Sequence, residues 1–269
     1  MTRPINVSGI EIGGPHLTII AGPCAVETES QILRTAEHVA RQGVTILRGG
    51  AFKPRTSPYA FQGLGEPGLE LLSKARRETG LRIVTEVMSP TQVDLVAEHA
   101  DMLQIGSRSM TNWSLLAAVA ATNRPILLKR GMSATVEEFA EAARFISERG
   151  NPNIVLCERG LRTYGTATRN TCDIAAVPLL QRLTGLPVIV DPSHATGVRE
   201  LVAPVSSAAV AIGADGLIIE VHPDPDRAWS DGDQSLSFDQ FDALIEDIEP
   251  FRNIWSARRK SRCEVAVGA

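Results

Sequence analysis

Four residues of the types that bind transition metals are dispersed along the chain: Cys24, His194, Glu220 and Asp231. A thiolate, an imidazole and two carboxylates form a mixed S, N and O donor set, which suits Mn, Fe, Co or Zn and fits Mg or Ca poorly. Taken singly, each has an ordinary structural role, since a lone cysteine is more often a small buried hydrophobe. They indicate a metal site only if the fold brings them together.

A second set of residues is cationic. The sequence contains only four lysines, and two of them belong to this set. Phosphate and carboxylate are the natural counter-ions, because guanidinium groups bind both through paired hydrogen bonds. A single arginine would be interpreted as a surface ion pair, whereas six cations around one pocket predict an anionic ligand. The six are Arg48, Lys53, Arg55, Arg108, Lys129 and Arg159.

The elements that must position these residues are short apolar runs that alternate with amphipathic stretches. Eight runs are predicted as strands: 17–21, 44–47, 82–87, 102–105, 126–128, 154–156, 188–190 and 217–219. Each precedes a predicted helix: 28–42, 66–79, 91–99, 112–121, 135–149, 173–184, 199–212 and 237–249. The strands are apolar on both faces, as buried parallel strands are.

Eight such units predict an α/β fold, a (β/α)8 TIM barrel over residues 17–250. A doubly wound open sheet is the alternative, although it needs no eighth unit. We expect one domain over residues 1–269, without a regulatory domain. A short N-terminal hairpin within residues 1–16 would close the barrel bottom, and the tail after Phe251 is expected to be loosely ordered and solvated.

Barrel active sites lie at the carboxyl ends of the strands, and both residue sets fall there. Cys24, His194 and Glu220 follow predicted strands 1, 7 and 8, which become neighbours when a barrel closes, and Asp231 lies in the loop after strand 8. The strand ends also carry Glu86, Gln104 and Asp191, and the cations follow strands 2, 4, 5 and 6. The sequence therefore predicts one cavity that binds a metal and anions.

Composition limits the function classes. The 269 residues carry 27 Lys+Arg against 31 Asp+Glu, a formal charge of −4, and 43% are hydrophobic. This composition is globular and disfavours a nucleic-acid binder, which usually has a basic excess. No apolar run approaches the roughly 18 residues of a membrane helix, and no signal-peptide core begins the chain, so a cytoplasmic enzyme is expected. Cys157, Cys172 and Cys263 are predicted to be inert free thiols.

Seven ordered stretches between residues 21 and 233 carry a resemblance to a known family. They read AGPC (21–24), RGGAFKPRTSP (48–58), QIGSR (104–108), LKRG (128–131), CERG (157–160), DPSH (191–194) and EVHP (220–223). The chain resembles 3-deoxy-D-arabino-heptulosonate 7-phosphate (DAHP) synthases, in the short microbial branch related to 3-deoxy-octulosonate 8-phosphate synthase. The resemblance implies condensation of phosphoenolpyruvate with erythrose 4-phosphate at the head of the shikimate pathway.

The resemblance also implies residue roles. The metal ligands are Cys24, His194, Glu220 and Asp231. The phosphoenolpyruvate contacts are Arg108, Lys129, Arg159 and Lys53, with Arg48 and Gln104 nearby. The erythrose 4-phosphate contacts are Arg55, Thr56 and Asp191. The catalytic candidates are Lys53, Cys24, His194 and Glu86, with no choice of proton carrier. The family forms dimers or tetramers, so a homodimer or homotetramer is expected, and a regulatory partner protein is possible.

Several alternatives remain at this stage. The sister octulosonate enzyme generally has an Asn where this chain has Pro54-Arg55, which favours the four-carbon aldehyde. Gly165 stands where many relatives have Glu, which leaves open a modified aldehyde in secondary metabolism. A Schiff-base aldolase using Lys129 or Lys53 would need no metal and would be trapped by borohydride. A non-catalytic regulatory subunit would be expected to have lost metal ligands, yet all four are present.

Overall fold

A computed structural model describes residues 2–53 and 59–267, with side chains described as far as residue 259. Eight parallel strands form a closed barrel in chain order, and the last strand pairs with the first. They are β3 (Thr18–Gly22), β4 (Ile46–Arg48), β5 (Arg82–Glu86), β6 (Met102–Ile105), β7 (Ile126–Lys129), β8 (Ile154–Glu158), β9 (Val188–Val190) and β10 (Gly216–Glu220). The TIM barrel prediction is confirmed, and the open sheet is wrong, because β10 pairs with β3 over five residues.

Helices follow the strands and cover the outside of the barrel. They are α1 (Glu29–Arg41), α2 (Glu66–Thr79), α3 (Val93–His99), α4 (Trp113–Ala120), α5 (Val136–Glu148), α6 (Ala176–Thr184), α7 (Pro192–Thr196), α8 (Val202–Ile212) and α9 (Phe238–Val267). Side-chain caps begin several of them. Thr28 caps α1, and Thr135 caps α5 in a reciprocal pair with Glu138. The five-residue helix α7 was not predicted.

The barrel has two apolar layers. One layer lies between the strands and the outer helices. The other fills the barrel interior at its amino end, where Ile20, Ile46 and Val84 meet the N-terminal hairpin. That hairpin, β1 (Ile5–Val7) and β2 (Ile10–Ile12), is antiparallel and buries Ile5, Val7 and Ile12. The predicted closure of the barrel bottom is confirmed, which leaves the carboxyl end for a site.

The last helix extends further than predicted. Helix α9 continues past Phe251 to Val267, and Trp255 is buried with its Nε1 donating to the carbonyl of Ala214 at 2.8 Å. Arg259 pairs with Asp215 at 2.5 Å. The expected solvated tail therefore does not begin at residue 252, since packing against the amino end of β10 orders the chain at least to Arg259. In the described residues, no helix is long and apolar enough to cross a membrane.

Candidate active site

A polar cavity of about 220 Å³ lies at the carboxyl end of the barrel strands. Its described lining contains six cations, five of which the strand-end pattern predicts, together with two carboxylates and the imidazole of His194. Most of these side chains come from the last residues of a strand or from the residues that follow it, where the outer end of the barrel is open. The described lining residues are Arg48, Lys53, Glu86, Gln104, Gly106, Ser107, Arg108, Lys129, Met132, Arg159, Arg169, His194 and Asp231.

The four predicted metal ligands meet at one edge of this cavity. One ligand atom from each of Cys24, His194, Glu220 and Asp231 lies within 4.8 Å of the others. Cys24 Sγ is 3.0 Å from Asp231 Oδ2, and a nitrogen of His194 is 3.5 Å from Glu220 Oε1. Asp231 adopts a left-handed backbone conformation with φ of 52°, which a non-glycine residue tolerates only where its surroundings hold it. The backbone is thus strained where it aims a carboxylate at the cluster.

The donor set and its surroundings fit a divalent transition metal. His194 Nδ1 lies 2.8 Å from Asp191 Oδ2, which leaves Nε2 facing Glu220 Oε1 at 3.5 Å within the cluster. A histidine that binds a metal through one nitrogen commonly has its other nitrogen bonded to a carboxylate, as here. Burial lowers the pKa of His194, and a neutral imidazole is the form that binds metals.

Cys24 has surroundings that hold its sulfur in place. Lys53 Nζ donates to Sγ at 2.9 Å, and Ser230 Oγ lies 3.2 Å from it. Burial and the nearby Glu220 raise the pKa of the Cys24 thiol to about 12, although Lys53 and Arg48 oppose this. Cys157 and Cys172 lie outside the cluster, and burial raises the pKa of each thiol. This agrees with their expected inertness, while the side chain of Cys263 lies outside the described part.

Asp191 organises the opposite side of the cluster. Its Oδ2 accepts from Lys129 Nζ at 2.5 Å, and its Oδ1 accepts the backbone N–H of His194 as the cap of α7. Burial would raise the pKa of Asp191, but attraction to His194 and Lys129 holds it well below its usual range. In this arrangement Asp191 contacts a predicted ligand and a predicted substrate cation, whereas the sequence assigned it to the aldehyde substrate.

Glycine at position 106 makes room for Glu86. A Cβ there would lie 2.1 Å from Glu86 Oε1. Glu86 Oε2 also accepts from Gln104 Nε2 at 3.4 Å. Gly106 begins the single-turn helix Ser107–Ser109, which carries Arg108 into the cavity lining. The close approach of Gly106 thus lets Glu86 and Arg108 line the same cavity.

The sequence predictions differ in outcome at individual residues. The structure brings together every predicted site residue within the described ranges, while Arg55 and Thr56 lie outside them. Arg130, within one of the quoted stretches, is buried against Glu158 and Asp173 at 2.9 Å each. Of the described lining residues, none comes from 162–167, the exposed segment that contains Gly165.

Three residues near the ligands were missed by sequence reasoning. Arg169 lines the cavity and bonds to Asp231, and Gln234 bonds to Glu220. Glu27 accepts the backbone N–H of Trp229 at 2.8 Å and lies 3.3 Å from His222 Nε2. All three are outside the strands and show no periodic pattern. Arg169 follows the RTYGTAT segment (162–168), whose departure at Gly165 was the only indication of a role.

Comparison with known proteins supports a common origin for this architecture. Residues 3–251 match the model of the DAHP synthetase I family. Phospho-2-dehydro-3-deoxyheptonate aldolase of Thermotoga maritima is 50% identical over 245 residues, which cover 91% of this chain and 72% of that protein. 2-Dehydro-3-deoxyphosphooctonate aldolase of Syntrophotalea carbinolica is 35% identical over 92% of this chain and 95% of its own length.

Solved structures of the Thermotoga maritima enzyme have the same fold as this chain. The crystal structure of the Thermotoga maritima aldolase (DAHP synthase) has a TM-score of 0.92 and 48% identity, over 95% of this chain and 75% of that one. A truncated form of the Thermotoga enzyme has a TM-score of 0.89 and 44% identity, over 95% and 94% of the two chains. With the barrel and the strand-end residues in place, these matches show that the chain belongs to the DAHP synthetase I family.

Proposed function

We propose that this cavity is where the chain acts as a DAHP synthase, a transferase that forms a carbon–carbon bond. Family membership and 50% identity to the Thermotoga enzyme support the activity. Phosphoenolpyruvate, erythrose 4-phosphate and water would give 3-deoxy-D-arabino-heptulosonate 7-phosphate and phosphate. Carbon 3 of phosphoenolpyruvate bonds to the aldehyde carbon, water adds at carbon 2, and phosphate leaves from carbon 2.

Buried guanidinium groups with unsatisfied donors carry this assignment to the cavity. Arg48 Nε and Arg159 Nη1 are buried donors that lack a hydrogen bond among the described residues, while Arg48 Nη1 lies 3.0 Å from Glu220 Oε1. Burial lowers the pKa of Arg159, and repulsion by Arg169 adds to the effect, so a bound anion would offset both. The carboxylate and phosphate of phosphoenolpyruvate satisfy such donors.

The proposed roles of the other site residues follow from their positions. Arg108, Lys129 and Arg159 would bind phosphoenolpyruvate and stabilise charge as phosphate departs, with Arg48, Lys53 and Gln104 beside them. Lys53 and Glu86 are the side chains placed to carry a proton. Asp191 orients Lys129 and His194. Arg55 and Thr56, assigned from the family resemblance, would anchor the phosphate of the aldehyde substrate.

Cys24, His194, Glu220 and Asp231 would hold one divalent metal. When bound, it would supply Lewis acidity toward the aldehyde oxygen. The mixed donor set favours Mn, Fe, Co or Zn. Asp231 is suited to this role because it is ionised: burial would raise its pKa, but His194 and the hydrogen bond from Cys24 lower it well below its ordinary value.

The test is phosphoenolpyruvate consumption by metal-loaded protein, with erythrose 4-phosphate and arabinose 5-phosphate offered in parallel. We expect turnover with erythrose 4-phosphate that a chelator abolishes. Lys129→Met should reduce it at least a hundredfold, whereas Lys74→Met, at a surface lysine of α2, should not. Preference for arabinose 5-phosphate would contradict the substrate assignment. Chelator-resistant turnover, with borohydride trapping the substrate on Lys129 or Lys53, would contradict the metal assignment.

Three further expectations stay predictions. They are assembly into a homodimer or homotetramer, a cytoplasmic location, and regulation by a separate partner protein. Light scattering of the purified chain at several concentrations tests the first. A monomer at micromolar concentration would contradict it.

A further inference from the structure

A hydrogen-bonded pair of side chains connects the two carboxylates, Asp231 and Glu220, of the four predicted metal ligands. This pair is not itself part of the ligand set. Arg169 Nη1 donates to Asp231 Oδ1 at 3.1 Å and to Gln234 Oε1 at 3.0 Å. Gln234 Nε2 donates in turn to Glu220 Oε2 at 2.6 Å. Each carboxylate therefore has one oxygen bonded to this pair. The other oxygens, Asp231 Oδ2 and Glu220 Oε1, lie toward Cys24 and His194, and Glu220 Oε1 also lies 3.0 Å from Arg48 Nη1.

The segment that carries Arg169 is also attached to the helix that carries His194. The backbone N–H of Arg169 donates to Thr196 O at 2.8 Å, and Asn170 Nδ2 donates to His194 O at 2.9 Å. Gly197 lies so close that a Cβ there would be 2.5 Å from Arg169 Cβ. Residues 169–170 thus contact the supports of three ligands at once, although they lie between β8 and α6, outside every strand and α-helix.

The two side chains differ in exposure, and the difference indicates what each does. Gln234 is 2% exposed, so its amide has little alternative to the bonds it makes. The Arg169 side chain is 41% exposed and lines the cavity. A surface ion pair between Arg169 and Asp231 alone would contribute little. The shared contact with buried Gln234 instead fixes the guanidinium in one geometry.

We infer that Arg169 and Gln234 are positioning residues that hold Asp231 and Glu220 as single-oxygen ligands. By occupying the outer oxygen of each carboxylate, the pair leaves one inner oxygen for the metal. This inference rests on the metal site of the proposed function. Partners that orient metal ligands in this way typically contribute 10- to 100-fold in metal affinity.

Simple electrostatics predicts the opposite change in metal affinity when Arg169 is replaced, which makes the inference testable. Arg169 is a cation beside a cation site, so removing its charge should tighten metal binding if charge alone matters. If positioning dominates, removal should weaken binding. Gln234 is neutral, so its replacement tests positioning without a change of charge.

The experiment titrates metal-free protein with Co²⁺ against a chromophoric chelator and records the thiolate-to-cobalt charge-transfer band. We expect Arg169→Met and Gln234→Leu each to weaken Co²⁺ binding about 10- to 100-fold and to alter the visible ligand-field bands. Arg169→Lys keeps a donor and should recover part of the affinity. The fold-loss of Co²⁺ affinity in the double variant should be smaller than the product of the two single fold-losses, since the two residues act as one unit.

Arg144→Met is the matched control, because this exposed arginine of α5 pairs only weakly with Glu141, at 3.5 Å. It should leave the affinity and the spectrum unchanged. Unchanged or tighter Co²⁺ binding in both Arg169→Met and Gln234→Leu, each with a native circular dichroism spectrum, would overturn the inference. A wild-type protein that binds Co²⁺ without a charge-transfer band would instead refute the proposed metal site, and the inference with it.

Discussion

At the scale of single residues, the chemistry depends on groups whose surroundings set their charge. Cys24 is buried between Lys53, Ser230 and Asp231, and its pKa is raised to about 12. The thiol of the metal-free protein is therefore protonated near neutral pH. His194 has a lowered pKa and is already neutral there. Of these two ligands, only the cysteine has a proton to lose when a metal binds.

Metal binding should consequently release one proton from Cys24. The metal requires the Cys24 thiolate, and the pKa of the thiol lies above the pH range of the experiment. The apparent metal affinity should therefore rise about tenfold per pH unit between about pH 6.5 and 8.5. Calorimetric Zn²⁺ titrations in two buffers of different ionisation enthalpy would count the proton. Cys24→Ala should bind far more weakly and without proton release. Binding by the unmodified protein that is independent of pH would contradict the assignment.

Gly106 provides a second residue-scale prediction. Gly106→Ala places a methyl carbon 2.1 Å from Glu86 Oε1, so the carboxylate must move from its place beside Gln104 in the cavity lining. We expect the KM for phosphoenolpyruvate to rise at least tenfold, which corresponds to about 1.4 kcal/mol. Gly165→Ala is the control, since a Cβ there meets no atom closer than 3.5 Å. Equal KM values for Gly106→Ala and the unmodified protein would refute the steric argument.

At the scale of elements, the loop after β10 must hold Asp231 against the other ligands. Glu27, which precedes α1, provides the attachment. Its carboxylate accepts the backbone N–H of Trp229, two residues before Asp231, and lies beside buried His222. Glu27 is 7% exposed, so these bonds are shielded from water. The loop between β3 and α1 thus supports the loop after β10.

Removing that attachment should loosen the loop. Glu27→Ala removes the acceptor of the part-buried Trp229 N–H and leaves the buried imidazole of His222 without its partner, which costs about 1–3 kcal/mol for that buried group. Hydrogen exchange should accelerate at the Trp229 amide more than at amides of β10, and Glu27→Gln should restore much of the protection. Glu29→Ala, at an exposed glutamate of α1 paired with Lys74, is the control. Unchanged exchange at Trp229 in Glu27→Ala would show that other contacts hold the loop.

The elements themselves were predictable because their patterns are local. Runs such as 126–128 are apolar on both faces, and Thr28 and Thr135 cap the helices that they precede. Barrel active sites lie at the carboxyl ends of the strands, and this regularity predicted that Cys24, Glu220 and the cations share one cavity. Arg169 and Gln234 could not be found in this way, because their roles depend on loop conformations that bring distant residues together. Likewise, the sequence predicted a solvated end where Trp255 is buried, since a long-range contact orders it.

At the scale of the whole molecule, the barrel separates stability from chemistry. The hairpin closes the amino end of the strands and α9 packs outside it beside β10, while the cavity lies at the carboxyl end. Arg259 contacts Asp215, Thr2 and the carbonyl of Gly13, and so connects the last helix to both the hairpin region and β10. Changes at this end should alter the free energy of unfolding without changing the cavity.

Trp255→Ala tests that separation. The side chain is 5% exposed and its indole N–H is bonded to Ala214 O, so truncation removes a large buried surface and leaves a carbonyl without its donor. We expect a loss of about 3–5 kcal/mol, measured by urea unfolding. The kcat measured well below the unfolding midpoint should stay within about twofold of the unmodified value, because the indole packs beside the amino end of β10 and is not among the described lining residues of the cavity. Ile254→Ala, at a neighbour that is 50% exposed, should change neither quantity appreciably. A fall in kcat for Trp255→Ala under conditions where the protein is fully folded would mean that the two ends of the barrel are coupled.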